Sequence, residues 1–203
     1  MKIYTIKSVL LSAVVVTVFS NCTNDDDFEI HPYRDVIFSE DFSKNAVDNQ
    51  LLITPDWLNI AQIGSVRWKT QIYQGNAYAE FTSYQSQDVT NIGWLISPEI
   101  DMDQHENEIL QFQTAQSFVS SAANSLQVMV CNDFDGVNVE SATWILLNPI
   151  LPTTTSAYYE FIKSGEVDLS AFTGKIRLGF KVKGGKDTAI DGTYQVDNIR
   201  IIY

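Results

Sequence analysis

The segment from Ser125 to Leu147, SLQVMVCNDFDGVNVESATWILL, constrains the fold more than any other stretch of the chain. Leu126, Val128 and Val130 alternate with Gln127, Met129 and Cys131, the run NDFDG supplies turn chemistry, and Ala142, Trp144 and Leu146 alternate again. Side chains two residues apart share a face only on an extended strand, and the 3.6-residue repeat of a helix is missing. The spacing therefore predicts strand, loop, strand, with both apolar rows turned to one interior.

The same period recurs from residue 35 onward. Val36, Phe38 and Phe42 share a parity, the pair Gly75-Asn76 after Gln74, both tolerant of positive φ, predicts a tight hairpin before Tyr78 to Phe81, Gly93 to Ile96 is stopped by Pro98, and Tyr158, Tyr159, Phe161 and Ile162 resume extended structure after a loop. Leu110, Phe112 and Thr114 form another row, and Ile176, Leu178, Phe180 and Val182 give the clearest alternation of all, against Arg177, Gly179, Lys181 and Lys183. The last strand, Thr193 to Tyr203, changes parity at Asp197-Asn198, as at a β-bulge. About ten strands separated by turn signals, in a chain 45% hydrophobic, predict one all-β sandwich or barrel over residues 35–203.

Two acidic positions break the pattern. Glu40 lies in the apolar row of the first strand, where an unpartnered carboxylate is costly, so it should meet a cation or an arginine, or be turned out at a bend. Asp197 sits at the parity slip. The NDFDG loop fails as a helix-loop-helix calcium site, because Cys131 and Ala142 would occupy ligand positions, which leaves Asp133 and Asp135 as turn formers. Cys131 reads as a small core residue. His31 and His105 are the two histidines, far apart in sequence, and no nucleophile elbow or phosphate loop follows a strand. The chain is expected not to be an enzyme.

The first residues read as an address. Lys2 and Lys7 precede an apolar run from Val9 to Phe19, then Ser20, Asn21 and Cys22, the layout of an export signal over residues 1–21. Cys22 stands where a signal peptidase would leave a cysteine for lipidation. The acidic run Asp25, Asp26, Asp27 and Glu29 makes residues 22–34 a flexible tether. Loss of Lys2 and Lys7 moves the formal net charge from −12 to −14, which disfavours nucleic acid and anionic membrane surfaces as partners. With Cys22 lipidated, Cys131 is left without a disulfide partner.

FSEDFS at Phe38–Ser43, WLISPEIDM at Trp94–Met102, VCNDFDG at Val130–Gly136, ATWILL at Ala142–Leu147, SGEVDLSAFTGKIRLGFKV at Ser164–Val182 and YQVDNIRI at Tyr194–Ile201 occur in that order. Together they resemble the choice-of-anchor J domain, kin to cleaved-adhesin domains and, more distantly, to galactose-binding-like jelly rolls. The resemblance implies a jelly-roll β-sandwich on an exported, surface-exposed outer-membrane lipoprotein that binds carbohydrate or mediates adhesion. It also implies a structural calcium between the first and last strands, for which the matching residues are Glu40, Asp41 and Asp197. Trp57, Tyr84 and Tyr158 are the loop aromatics expected to stack on sugar faces, although a tyrosine placed like Tyr84 is more often an ordinary packed one. The alternatives are a protein-interaction module of a surface complex, or a small glycan-active hydrolase.

Overall fold

A computed structural model of the chain describes residues 34–203, so the stretches read as an export signal (1–21) and a tether from Cys22 onward lie, up to Tyr33, outside the described residues. Fourteen strands and no helix make up the described part. Five strands are only two residues long, which is why a reading by alternation finds about ten.

The larger sheet holds β1 (Val36–Glu40), β2 (Gln50–Leu51), β4 (Lys69–Tyr73), β5 (Asn76–Thr82), β8 (Ile109–Ser117), β11 (Ile162–Lys163), β12 (Val167–Asp168) and β14 (Thr193–Ile202). The smaller holds β3 (Leu58–Ile63), β6 (Asn91–Ile96), β7 (Ile100–Asp101), β9 (Ser125–Cys131), β10 (Ile145–Leu146) and β13 (Lys175–Gly184). All strand pairs in both sheets are antiparallel.

The core lies between the two layers. Phe112 of β8 meets Phe180 of β13 edge-on at 5.5 Å, and Trp68 meets Phe81 at 5.7 Å. Gly93 of β6 lies against the ring of Phe81 on the opposite sheet, where a Cβ would collide with it. A side chain there would push the layers apart. The segment 125–147 is strand, loop, strand as expected, with Ile145 paired to Val130 and Leu146 to Met129, but its second apolar row does not face the core: β10 is two residues long, Leu146 is exposed, and Trp144 packs in a separate cluster with Trp94 and Ile96. Trp144 stops short of that strand and instead lies on Trp94, with its indole N–H on the Val139 carbonyl. Cys131 is buried, and desolvation pushes its thiol up to about 11, as a core cysteine requires.

Two local expectations need correction. The β4–β5 hairpin turns on Gln74 (φ 52°) and Gly75 (φ 84°), with Tyr73 paired to Asn76, so the left-handed pair is Gln74-Gly75 rather than Gly75-Asn76. Tyr158 makes only an isolated parallel bridge to Gln116, Tyr159 to Phe161 is loop rather than strand, and ladder pairing resumes at Ile162.

The bulge in the last strand is present. Asn198 is left-handed (φ 51°), and the register against β8 shifts between Asp197 and Arg200. Before the bulge β14 pairs with β5, and after it with β1. The first and last strands are thus neighbours, and Tyr203 N–H donates to the Asp35 carbonyl.

Candidate functional site

The outer face of the larger sheet carries a concave surface built on β5 and β14. Along β5, Ala77, Ala79 and Phe81 are buried in the core, so Tyr78, Glu80 and Thr82 point away from it. On β14, Gln195 stands directly opposite Glu80, and Thr193 opposite Thr82. Gln195 Nε2 donates to Glu80 Oε2 at 2.8 Å, Gln71 Nε2 donates to Glu80 Oε1 at 3.1 Å, and the Thr193 hydroxyl donates to Thr82 at 2.8 Å. A carboxylate only accepts, so Glu80 fixes the amide of Gln195 with its nitrogen inward. Gln195 Oε1 is left buried and without a protein partner.

A wall rises beside this floor because one buried glutamine ties two loops together. Gln116 Nε2 donates to the Ser156 carbonyl at 2.6 Å, its Oε1 accepts from Val119 N–H at 3.1 Å, and its carbonyl accepts from Tyr159 N–H at 2.8 Å. The two loops present Phe118, Tyr158 and Tyr159, with Phe118 lying 4.7 Å from Tyr158 and 6.4 Å from Tyr159 between ring centroids. Phe118 (φ 58°) and Tyr159 (φ 61°) both adopt left-handed backbone, which aromatic residues rarely take and which the Gln116 bonds hold in place. Phe161 packs edge-on against Tyr78 at 5.4 Å.

Two cavities meet at Tyr159. One, about 670 Å³, is lined by Glu80, Thr82, Tyr84, Phe118, Tyr158 and Asp191 among others; the second, about 620 Å³, by Tyr73, Asn76, Tyr78, Phe161 and Gln195. They follow β5 from Asn76 to Thr82, a length of roughly 20 Å at the rise of an extended strand. The Tyr78 hydroxyl is pushed up to about 12, first by burial and then by the charges of Glu80 and Asp48, so it keeps its proton and can donate.

Of the three aromatics expected to contact ligand, Tyr84 (66% exposed) and Tyr158 (52% exposed) line the first cavity. Trp57 does not. It is 8% exposed, packs against Phe38 and Phe42 at 6.2 and 5.5 Å, and donates its indole N–H to Glu40 Oε2 at 3.1 Å. Reading it as a loop aromatic missed that the turn at Thr54–Trp57 sends the ring back to the core. Within the chain Glu40 thus meets a tryptophan N–H, and its Oε1 accepts from Phe42 N–H at 2.7 Å. Tyr73, Tyr78, Phe118, Tyr159, Phe161, Glu80 and Gln195 were not singled out by sequence; the polar row Tyr78, Glu80, Thr82 opposite a buried alanine-phenylalanine row was the available signal.

The junction of first and last strands was the expected calcium position. Asp197 is buried, and its partners are neutral amides: Asn76 Nδ2 at 2.8 Å, Asn198 Nδ2 at 3.0 Å and Asn198 N–H at 2.6 Å. Burial raises its carboxyl above the ordinary value, and the nearby charge of Asp41 raises it further. Asp41 is itself held low by the hydroxyl and N–H of Ser43. Glu40, Asp41, Lys44, Asn198 and Arg200 help line a cavity of about 360 Å³ at this corner. Among the described residues no three His, Cys, Asp or Glu side chains converge as a metal cluster. A cation at this corner would draw on Asp41 and Asp197 with backbone oxygens, while each oxygen of Glu40 already accepts one hydrogen bond, from Phe42 and from Trp57.

Asp133 and Asp135 act as the turn formers their context indicates, accepting from Thr143 N–H and from Val137 and Asn138 N–H at 2.8 Å. His105 stacks on Tyr203 with centroids 3.8 Å apart.

No family model matches the sequence, and no curated protein is similar to it. Among solved structures, the chain is similar to the K3 cleaved adhesin domain of Lys-gingipain from Porphyromonas gingivalis, with 18% identity and a TM-score of 0.51 over 83% of this chain and 100% of that one. It is similar to the K2 cleaved adhesin domain of Lys-gingipain, with 12% identity and a TM-score of 0.53 over 82% and 98%. A xylan-binding CBM22-1 domain from Paenibacillus barcinonensis Xyn10C aligns at 18% identity and a TM-score of 0.45 over 83% and 94%. At these identities what is shared with the cleaved adhesin domains is the fold, and the described residues form an all-β jelly-roll sandwich.

Proposed function

We propose that this protein is a non-catalytic binding module that takes a glycan in the groove above β5 and β14. The observation that carries the reading is the pairing of a hydrogen-bonding floor, Gln71–Glu80–Gln195, with exposed tyrosines on either side. Sugars offer hydroxyls around apolar ring faces, and this surface offers both complements. Both oxygens of Glu80 already accept from amide groups, an arrangement suited to positioning rather than to proton transfer. The test is an array of soluble polysaccharides and oligosaccharides presented to the 34–203 fragment. Retention by at least one glycan, reduced by substitution in the groove, supports the reading; no retention by any glycan rejects it.

Display at the cell surface follows from the first residues. Residues 1–21 direct export, Cys22 receives lipid in the outer membrane, and residues 22–34 hold the sandwich away from the bilayer. Cys22→Ser is expected to move the protein from the detergent phase to the aqueous phase on Triton X-114 partitioning. An unchanged distribution would contradict the anchor.

The Asp41–Asp197 corner is proposed to take calcium, on the ground that a buried carboxylate faced only by neutral amides, with a second carboxylate near it, is relieved by a cation. Chelation with EDTA should lower the melting temperature at neutral pH. Protons compete for the same oxygens, and the folded Asp197 carboxyl titrates above its ordinary value. The unfolded chain then releases its proton first, the apo fold loses stability as pH rises through that window, and calcium offsets the loss above it. The EDTA-sensitive shift should therefore shrink as pH falls toward the raised value. Identical melting with and without EDTA at neutral pH would remove the site.

A further inference from the structure

The groove has an electrostatic character that deepens the glycan reading and rests on it. Glu80 lies in its floor and Asp191 on its rim, Asp48 is near enough to raise the Tyr78 hydroxyl, and buried Asp197 holds Asn76 from beneath. Among the described residues no lysine or arginine lines either cavity. Lys69, directly across from Glu80 on β4, reaches instead to Asn49 Oδ1 at 3.3 Å. The neutralising donors on Glu80 are two glutamine amides, which leave its charge in place.

The second observation is the orphaned Gln195 Oε1. It is closed off from solvent on a side chain that borders the cavity of Tyr73 and Tyr78, and the amide cannot turn its nitrogen outward without setting its oxygen against Glu80. A buried acceptor without a partner is costly, so an occupant that donates a hydrogen bond at this point is favoured. A sugar hydroxyl donates; a carboxylate or sulfate does not and would also meet the field of Glu80 and Asp191.

We infer that the groove selects uncharged, hydroxyl-bearing glycan chains and rejects anionic ones, with a ligand hydroxyl donating to Gln195 Oε1 and Glu80 and Asp191 supplying the repulsion. Uronic-acid polymers and sulfated glycans keep hydroxyls that could donate, so it is the charge of Glu80 and Asp191 that excludes them. Specificity here is a difference of affinities set by a repulsive element as much as by contacts.

The experiment compares one backbone with and without charge. The full-length protein is titrated with whichever of soluble xylan, mannan, galactan or β-glucan it retains, and with the same polymer oxidised at its primary or vicinal hydroxyls to carboxylate. Polygalacturonate, alginate and heparin form a third arm. Wild type is expected to bind the oxidised polymer at least tenfold more weakly than its parent at low ionic strength. Raising salt from about 50 to 500 mM should narrow that gap, since the Debye length falls to a few ångströms. Glu80→Gln with Asp191→Asn should narrow it as well; Asp191→Asn alone, in an exposed loop, serves if the double variant melts early.

Equal or tighter binding of the oxidised polymer, or a gap unmoved by both salt and substitution, overturns the inference while leaving a glycan site in place. The same holds if the protein retains only the anionic polymers and loses them on Tyr159→Ala. Retention of no polymer in any arm overturns the glycan reading itself, and the selectivity with it.

Discussion

Tyr159→Ala is expected to weaken glycan binding about thirtyfold, close to 2 kcal/mol, while leaving the fold intact. Tyr159 is 57% exposed and lines both cavities, so no other single ring contributes to the whole length of the groove. Its backbone N–H, which bonds the Gln116 carbonyl, survives the substitution. Alanine tolerates the left-handed conformation no worse than tyrosine does. Isothermal titration against the retained glycan, with circular dichroism on the same sample, reads both quantities. A loss under threefold would mean that the ligand sits elsewhere.

Gln116→Leu is expected to act on stability and on the groove together. The leucine fills most of the glutamine volume but leaves Val119 N–H and the Ser156 carbonyl without partners. The buried Val119 N–H costs about 1–3 kcal/mol and the part-buried Ser156 carbonyl, which water can reach, about 1 kcal/mol, for a combined loss of roughly 2–4 kcal/mol. In a domain of this size that lowers the melting temperature by about 10 °C. With the tie gone, the loops bearing Phe118, Tyr158 and Tyr159 can separate, so binding should fall even at temperatures where the sandwich remains folded. A variant that melts early yet binds normally would show that Gln116 supports the core and not the groove.

How far the sequence discloses this arrangement depends on the kind of contact. Alternation at Leu126–Val130 and Ile176–Val182 exposes the two-layer core, because a strand with one buried face must repeat every second residue. The Asp197-Asn198 slip is legible for the same reason: one extra residue reverses every later side chain. The chemistry of Glu40 is not legible, since its partner Trp57 lies in a loop and only the tertiary fold brings an indole N–H to a carboxylate. The groove is hidden more thoroughly. Glu80, Gln195 and Gln71 come from three strands that are distant in sequence or in parity context, and Gln116 looks like an ordinary strand residue until the loops it bonds are seen. Tyr84 and Tyr158 were recoverable because an exposed aromatic in a polar loop stands out by itself.

Hydrogen–deuterium exchange of the 34–203 fragment, with and without saturating amounts of the retained glycan, addresses the location of the site most directly. Slowed exchange in residues 76–84 and 156–161, with 125–131 and 145–150 unchanged, is the expected pattern. Protection confined to the smaller sheet, with both segments of the groove unaffected, would contradict the placement of the ligand on the outer face of the larger one.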